Sequence, residues 1–110
     1  MPKTLREYKM LFERVPQGKH ALGPDDWLHA LGLRSKLGGA PDWVQSNETP
    51  ECSRCHKPMT FVGQIDSFEV KGTPNTVEWD DRHFMFGDVG MIYVFFCFGC
   101  SNTQSIFQGG

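Results

Sequence analysis

The chain has 110 residues, of which 39% are hydrophobic and 22% charged, with a net charge of −2. That length fits one domain of ordinary size and excludes two-domain enzymes and long repeat arrays. The charge supplies no global basic field for nucleic acid, so that partner is not expected.

Charge and residue type divide the chain in two. Residues 1–37 carry seven basic and four acidic side chains, net +3, whereas 38–110 carry four and nine, net −5. All seven leucines lie in the first part, while eight of nine phenylalanines follow position 60. Leucine favours helix and aromatic residues favour strand, so helices are expected first and sheet second. Thr4 and Glu7 form a capping box, and Leu5, Tyr8, Leu11, Phe12 and Val15 recur at a helical period, which predicts a first helix stopped by Pro16 and Gly18. A second is predicted from Pro24, with Asp25 and Asp26 in its first turn, to Gly32, its Trp27, Leu28 and Leu31 facing the core.

Residues 38–51, with Gly38, Gly39, Pro41, Asn47 and Pro50, read as a bent connection. Strands are predicted at Met59 to Asp66, Met91 to Cys97 and Gln104 to Gln108, with weaker patterns at Ser67 to Lys71 and Val77 to Phe86. Met91 to Phe98 is apolar at every position, which predicts a central strand buried on both faces. Its eight residues fall far short of the roughly 20 a membrane helix requires. Met1 to Met10 lacks the apolar core of a secretory signal, so a cytoplasmic location with reduced cysteines is expected. The expected architecture is a single α+β domain, residues 1–110. Its helical segment, 1–36, packs on a mostly antiparallel, metal-binding β-rich part, 37–108.

The strongest chemical pattern uses every cysteine. Cys52-Ser53-Arg54-Cys55 and Cys97-Phe98-Gly99-Cys100 are two C-x-x-C pairs. A two-residue spacer lets a tight knuckle present two thiolates to one ion, and two knuckles complete a closed tetrahedral sulfur shell, as in structural zinc sites. Iron also accepts four thiolates. The intervening 41 residues are accommodated if one strand leaves the first knuckle and another returns to the second. Cys52 to His56 also spells the haem-attachment pattern C-x-x-C-H, but that leaves the second pair unexplained. A thioredoxin-like pair requires a helix start after the cysteines, where Pro58, Thr60, Phe61 and Val62 stand instead.

No catalytic constellation accompanies these thiols, and no enzymatic activity is expected. His20, His29, His56 and His83 show no ligand spacing. Asp66, Glu69, Glu78, Asp80, Asp81 and Asp88 read as a solvated acidic face or a docking surface for a basic partner. No nucleophile elbow, phosphate loop or H-E-x-x-H motif is present.

Several residues together carry a resemblance: Leu37, Gly38, Gly39, Pro41 and Trp43; Cys52, Cys55, Met59 and Phe61; Gln64, Ile65 and Asp66; Phe86, Gly87, Asp88 and Gly90; and Tyr93, Phe95, Cys97 and Cys100. Spanning Leu37 to Gln108, this composite resembles the YwqG-like family of bacterial proteins. Knuckles of that style often place Gly after the second cysteine, where this chain has His56 and Ser101. The resemblance implies an immunity protein, encoded beside a polymorphic toxin, that binds and blocks the cognate toxin as a monomer or 1:1 complex. The docking surface expected for it is Glu78, Trp79, Asp80, Asp81 and Arg82, an aromatic anchor among steering charges. The competing class is a zinc-ribbon adaptor in a nucleic-acid, transcription or translation complex. It calls for a basic stripe, and after position 37 only Arg54, Lys57, Lys71 and Arg82 are basic.

Overall fold

The computed structural model describes residues 4, 7, 9–17, 34–67, 86 and 90–109. Its four strands are β1 (Lys36–Leu37), β2 (Thr60–Asp66), β3 (Met91–Cys97) and β4 (Asn102–Gln108), in the sheet order β1-β2-β3-β4 with every neighbouring pair antiparallel. The described part of the chain is therefore all-β, which corrects the α+β expectation. Among residues 4, 7 and 9–16, no helix forms despite the capping box and the helical period. Isolated helices this short are marginal in water and depend on burying an apolar face. Here Leu11 and Phe12 stand exposed and supply no such burial. The second predicted helix, Pro24 to Gly32, lies outside the described residues, as do most of the weaker strand patterns.

A β-bulge in β2 decides which side chains reach the core. Phe61 pairs with Phe95 and Gly63 with Val94, leaving Val62 as the extra residue. Strict alternation would put Phe61 and Gln64 on opposite faces; the added residue returns both to the same one. That face packs Phe61 edge-on to Phe95 at 5.7 Å between ring centroids. It buries Met91, Tyr93, Phe95 and Cys97 of β3, together with Cys52 and Met59.

The connection 38–51 crosses this face. It starts from Gly38 and Gly39, both at positive φ (73° and 75°), a turn that glycine enters without strain. Between Asp42 and Ser46 it has no ladder of its own and takes its hydrogen bonds from the sheet's side chains. Gln64 Oε1 accepts from Asp42 N at 3.0 Å, and Gln64 Nε2 donates to Asp42 Oδ2. Tyr93 donates its hydroxyl proton to Asp42 O at 2.8 Å and accepts from Val44 N at 2.9 Å. Gln108 accepts from Gln45 N at 2.9 Å and donates to Ser46 O at 2.6 Å. Trp43 fills the space between, its ring 4.6 Å from that of Tyr93 and 5.9 Å from that of Phe95.

The opposite face is less covered than the sequence led us to expect. Ile92, Val94 and Phe96 alternate with the buried residues of β3 and are only half-buried, so this strand is central in order but fully buried on one side alone.

Candidate metal centre

Both cysteine pairs sit in tight hairpin turns at one end of the sheet. The first turn is closed by the Glu51–Pro58 bridge, by Cys52 N donating to Lys57 O at 2.9 Å and by Met59 N donating to Pro50 O at 2.9 Å. The second joins β3 to β4, with Cys97 paired to Asn102 across the ladder. Because β2 leaves the first turn and β3 returns beside it antiparallel, with Thr60 opposite Phe96, the long spacer brings the knuckles together. All four Sγ atoms lie within 4.8 Å of one another. Cys55 Sγ and Cys97 Sγ are 3.7 Å apart. A tetrahedral ion with Zn–S bonds of about 2.3 Å needs sulfur–sulfur edges of about 3.8 Å. The four cysteines thus form a cluster compatible with metal binding.

The two knuckles repeat one design. His56 N donates to Cys52 O at 2.8 Å and Ser101 N donates to Cys97 O at 2.7 Å. In each pair the first cysteine is buried and the second half-buried. Donors aimed at sulfur supply the outer shell that orients metal ligands. Arg54 N lies 3.4 Å from Cys52 Sγ, and Asn102 Nδ2, 3.7 Å from the same sulfur, also donates to Ser53 Oγ at 3.1 Å, bridging the knuckles.

These donors divide the thiols electrostatically. The backbone N–H of Cys55 and then that of Arg54 hold the Cys52 thiol down to about 6 against the opposing effect of burial. Burial pushes Cys100 up to about 12, reinforced by its hydrogen bonds to the other three cysteines and by the charge on Cys52. A dication bound among the four sulfurs would counter the resistance of Cys100 to deprotonation. Four thiolates around a dication carry a net charge of −2. Exposed Arg54 and Lys57, on the first knuckle, would partly offset such a charge. Cys55, Cys97 and Cys100 line an open depression together with Lys57 and Phe98.

Of the other residues singled out in the sequence, Asp66 is not on a solvated face. It is fully buried, accepting from Arg34 Nε at 2.8 Å and Arg34 Nη2 at 2.6 Å, and its role is structural. Glu78, Trp79, Asp80, Asp81 and Arg82 lie outside the described residues, as do Glu69, Asp88, His20, His29 and His83. The strapping roles of Gln64, Tyr93 and Gln108 escaped sequence reasoning. Polar side chains at inward positions of apolar strands, beside a connection needing hydrogen bonds, were the available clue.

The chain is similar to the uncharacterized protein YpfL of Salmonella typhimurium, at 31% identity over 74 residues. That alignment covers 67% of this chain and 15% of the length of the relative. No family model matches the chain, and no solved structure matches it. Among the described residues, no helix is long and apolar enough to cross a membrane.

Proposed function

We propose that this chain is a protein-binding module whose sheet is locked by one structural zinc ion on Cys52, Cys55, Cys97 and Cys100. The observation that supports it most is the convergence of two equivalent knuckles on one sulfur cluster. Four protein thiolates fill a tetrahedral shell and leave no position for substrate or water, so the ion serves the fold rather than a reaction. Zinc is preferred to iron because closed four-cysteine shells in small domains are its usual structural setting, although iron satisfies the same donors. The chain's own contribution is to orient the sulfurs through the backbone N–H groups and Asn102, and to hold the two turns at one sheet end.

The partner we assign is a cognate bacterial toxin, which this protein neutralises as an immunity protein. This part rests on the resemblance carried by Leu37 to Gln108 and on the net charge of −5 after residue 37, which suits a basic surface. The test has two arms. Elemental analysis of purified protein is expected to give one zinc per chain, and a metal-free protein overturns the structural reading. Titration against the product of the adjacent gene is expected to give a 1:1 complex that weakens with salt. No complex overturns the immunity reading and leaves the metal site standing.

A further inference from the structure

The two sulfurs of each knuckle differ in their reach to solvent. Cys52 is fully buried and Cys97 is 8% exposed, whereas Cys55 and Cys100 are half-buried. The open depression at this end of the sheet is lined by Cys55, Cys97 and Cys100, and Cys52 takes no part in it. Cys52 Sγ faces the N–H groups of Arg54 and Asn102 instead, at 3.4 and 3.7 Å. Cys55 has Cys97 Sγ of the other knuckle 3.7 Å from its own sulfur. A solvent-accessible cysteine with a second sulfur in contact with it is the arrangement of an oxidant-reactive thiol and its resolving partner.

The geometry points to Cys55 as a site of oxidation by hydroperoxides, with Cys97 closing a disulfide across the two knuckles. Oxidation here regulates the four-thiolate centre proposed above and rests on that reading. The Cys55 thiolate attacks one peroxide oxygen, the O–O bond breaks, hydroxide leaves and the sulfur becomes a sulfenic acid. The Cys97 thiolate then attacks that sulfur, forming the S–S bond and expelling a second hydroxide. Each sulfur gives up one electron in the net reaction, and the peroxide takes both. Closing the bond draws the sulfurs from 3.7 Å to about 2.05 Å. Cys52, shielded from the depression, is not the first target.

The bond spends two of the four ligands, and the two thiolates that remain no longer make a closed shell. It joins the same two turns that the four-thiolate centre joins, over a separation of 42 residues. A cross-link closing so long a loop stabilises by restricting the unfolded chain. A peroxide therefore exchanges a metal lock for a covalent one: the sheet end stays closed while the protein gives up its ion. A dithiol reductant, itself oxidised to a disulfide, returns Cys55 and Cys97 to thiols and restores the site.

The experiment treats the full chain, as purified, with equimolar hydrogen peroxide, alkylates the remaining thiols and maps the disulfide by mass spectrometry, while a chromogenic chelator reads released zinc. A Cys55–Cys97 bond with Cys52 and Cys100 alkylated is the expected product, and zinc release is expected to keep pace with its formation. In urea, the oxidised, metal-free protein is expected to unfold at a higher concentration than reduced protein stripped of metal by a chelator. Zinc-bearing protein whose cysteines stay reduced, or that forms any other pair first, overturns the proposal and leaves the metal centre standing. An oxidised protein no more resistant to urea than the stripped one overturns the exchange of locks. Untreated protein without zinc overturns the metal centre instead, and the disulfide map on that same chain still decides whether Cys55 and Cys97 are the reactive pair.

Discussion

His56 and Ser101 occupy equivalent positions, each directly after the second cysteine of its knuckle, and both have left-handed backbones, with φ of 61° and 55°. They are the non-glycine residues with positive φ among those described. Each N–H donates to the carbonyl of the first cysteine in its pair, Cys52 or Cys97. The turn geometry that presents two sulfurs to one ion thus demands a conformation that glycine adopts freely and that other residues adopt at a cost. The sequence departure from glycine changes the energy of the knuckle but not its shape.

Glycine at either position is therefore expected to be tolerated. His56→Gly or Ser101→Gly should match or exceed the parent by up to about 1 kcal/mol, the relief of strain being partly offset by the extra freedom of glycine in the unfolded chain. His56→Val, β-branched at the same φ, should lose roughly 1 to 2 kcal/mol. Urea unfolding of the metal-loaded variants checks both, and a His56→Gly variant as unstable as His56→Val would contradict the strain argument.

The Arg34–Asp66 pair provides a second test. Asp66 is fully buried and its carboxylate is held by two guanidinium nitrogens and by Arg34 N at 3.2 Å. Removing one partner of a buried pair strands the other, at roughly 3 to 5 kcal/mol. Arg34→Met is expected to fall in that range, and Arg34→Met with Asp66→Leu to recover much of the loss. A double variant no better than the single in thermal unfolding would show that the pair does more than neutralise itself.

Tyr93 joins packing to strapping. Tyr93→Phe removes the hydrogen bonds of the hydroxyl with Val44 N and Asp42 O and is expected to cost about 1 to 3 kcal/mol. Burial raises the Tyr93 hydroxyl above its ordinary value. With the folded state holding that proton more tightly than the unfolded state, the stabilising contribution is complete below the usual tyrosine range. It is lost as pH rises from about 10 through the raised value. Stability measured from pH 8 upward should fall less steeply in Tyr93→Phe than in the parent, and equal slopes would contradict this assignment.

Gly90 marks a close approach. A methyl group there would lie 2.7 Å from both Gln108 O and Phe86 O and would also press on the Phe107 ring. Gly90→Ala is expected to cost roughly 1 to 3 kcal/mol through displaced backbone at the start of β3. Loss of hydrogen-exchange protection at the Met91–Gln108 end of the hairpin should accompany it, and unchanged protection there would contradict the packing.

The strands and cysteine knuckles were legible because their information is local. β-branched and aromatic runs give β2 and β3, and the C-x-x-C spacing gives each turn. The two residues of β1 were not legible, since Lys36–Leu37 has no strand pattern and forms by pairing with Gly63 and Gln64 far along the chain. The N-terminal pattern misled for the converse reason. Thr4, Glu7 and the Leu11–Val15 stripe satisfy every local rule for a helix, but local rules do not supply the surface that stabilises one. The bulge at Val62, which alone puts both Phe61 and Gln64 on the core face, also depends on pairing with β3, and its one local signal is Gly63 inside the strand run.

X-ray absorption at the zinc edge, on protein purified without added metal, tests the central claim most directly. Four sulfur neighbours at about 2.3 Å, with no nitrogen or oxygen in the first shell, is the predicted result. A shell containing a histidine nitrogen or water, or protein that carries no zinc, would contradict a closed centre on Cys52, Cys55, Cys97 and Cys100.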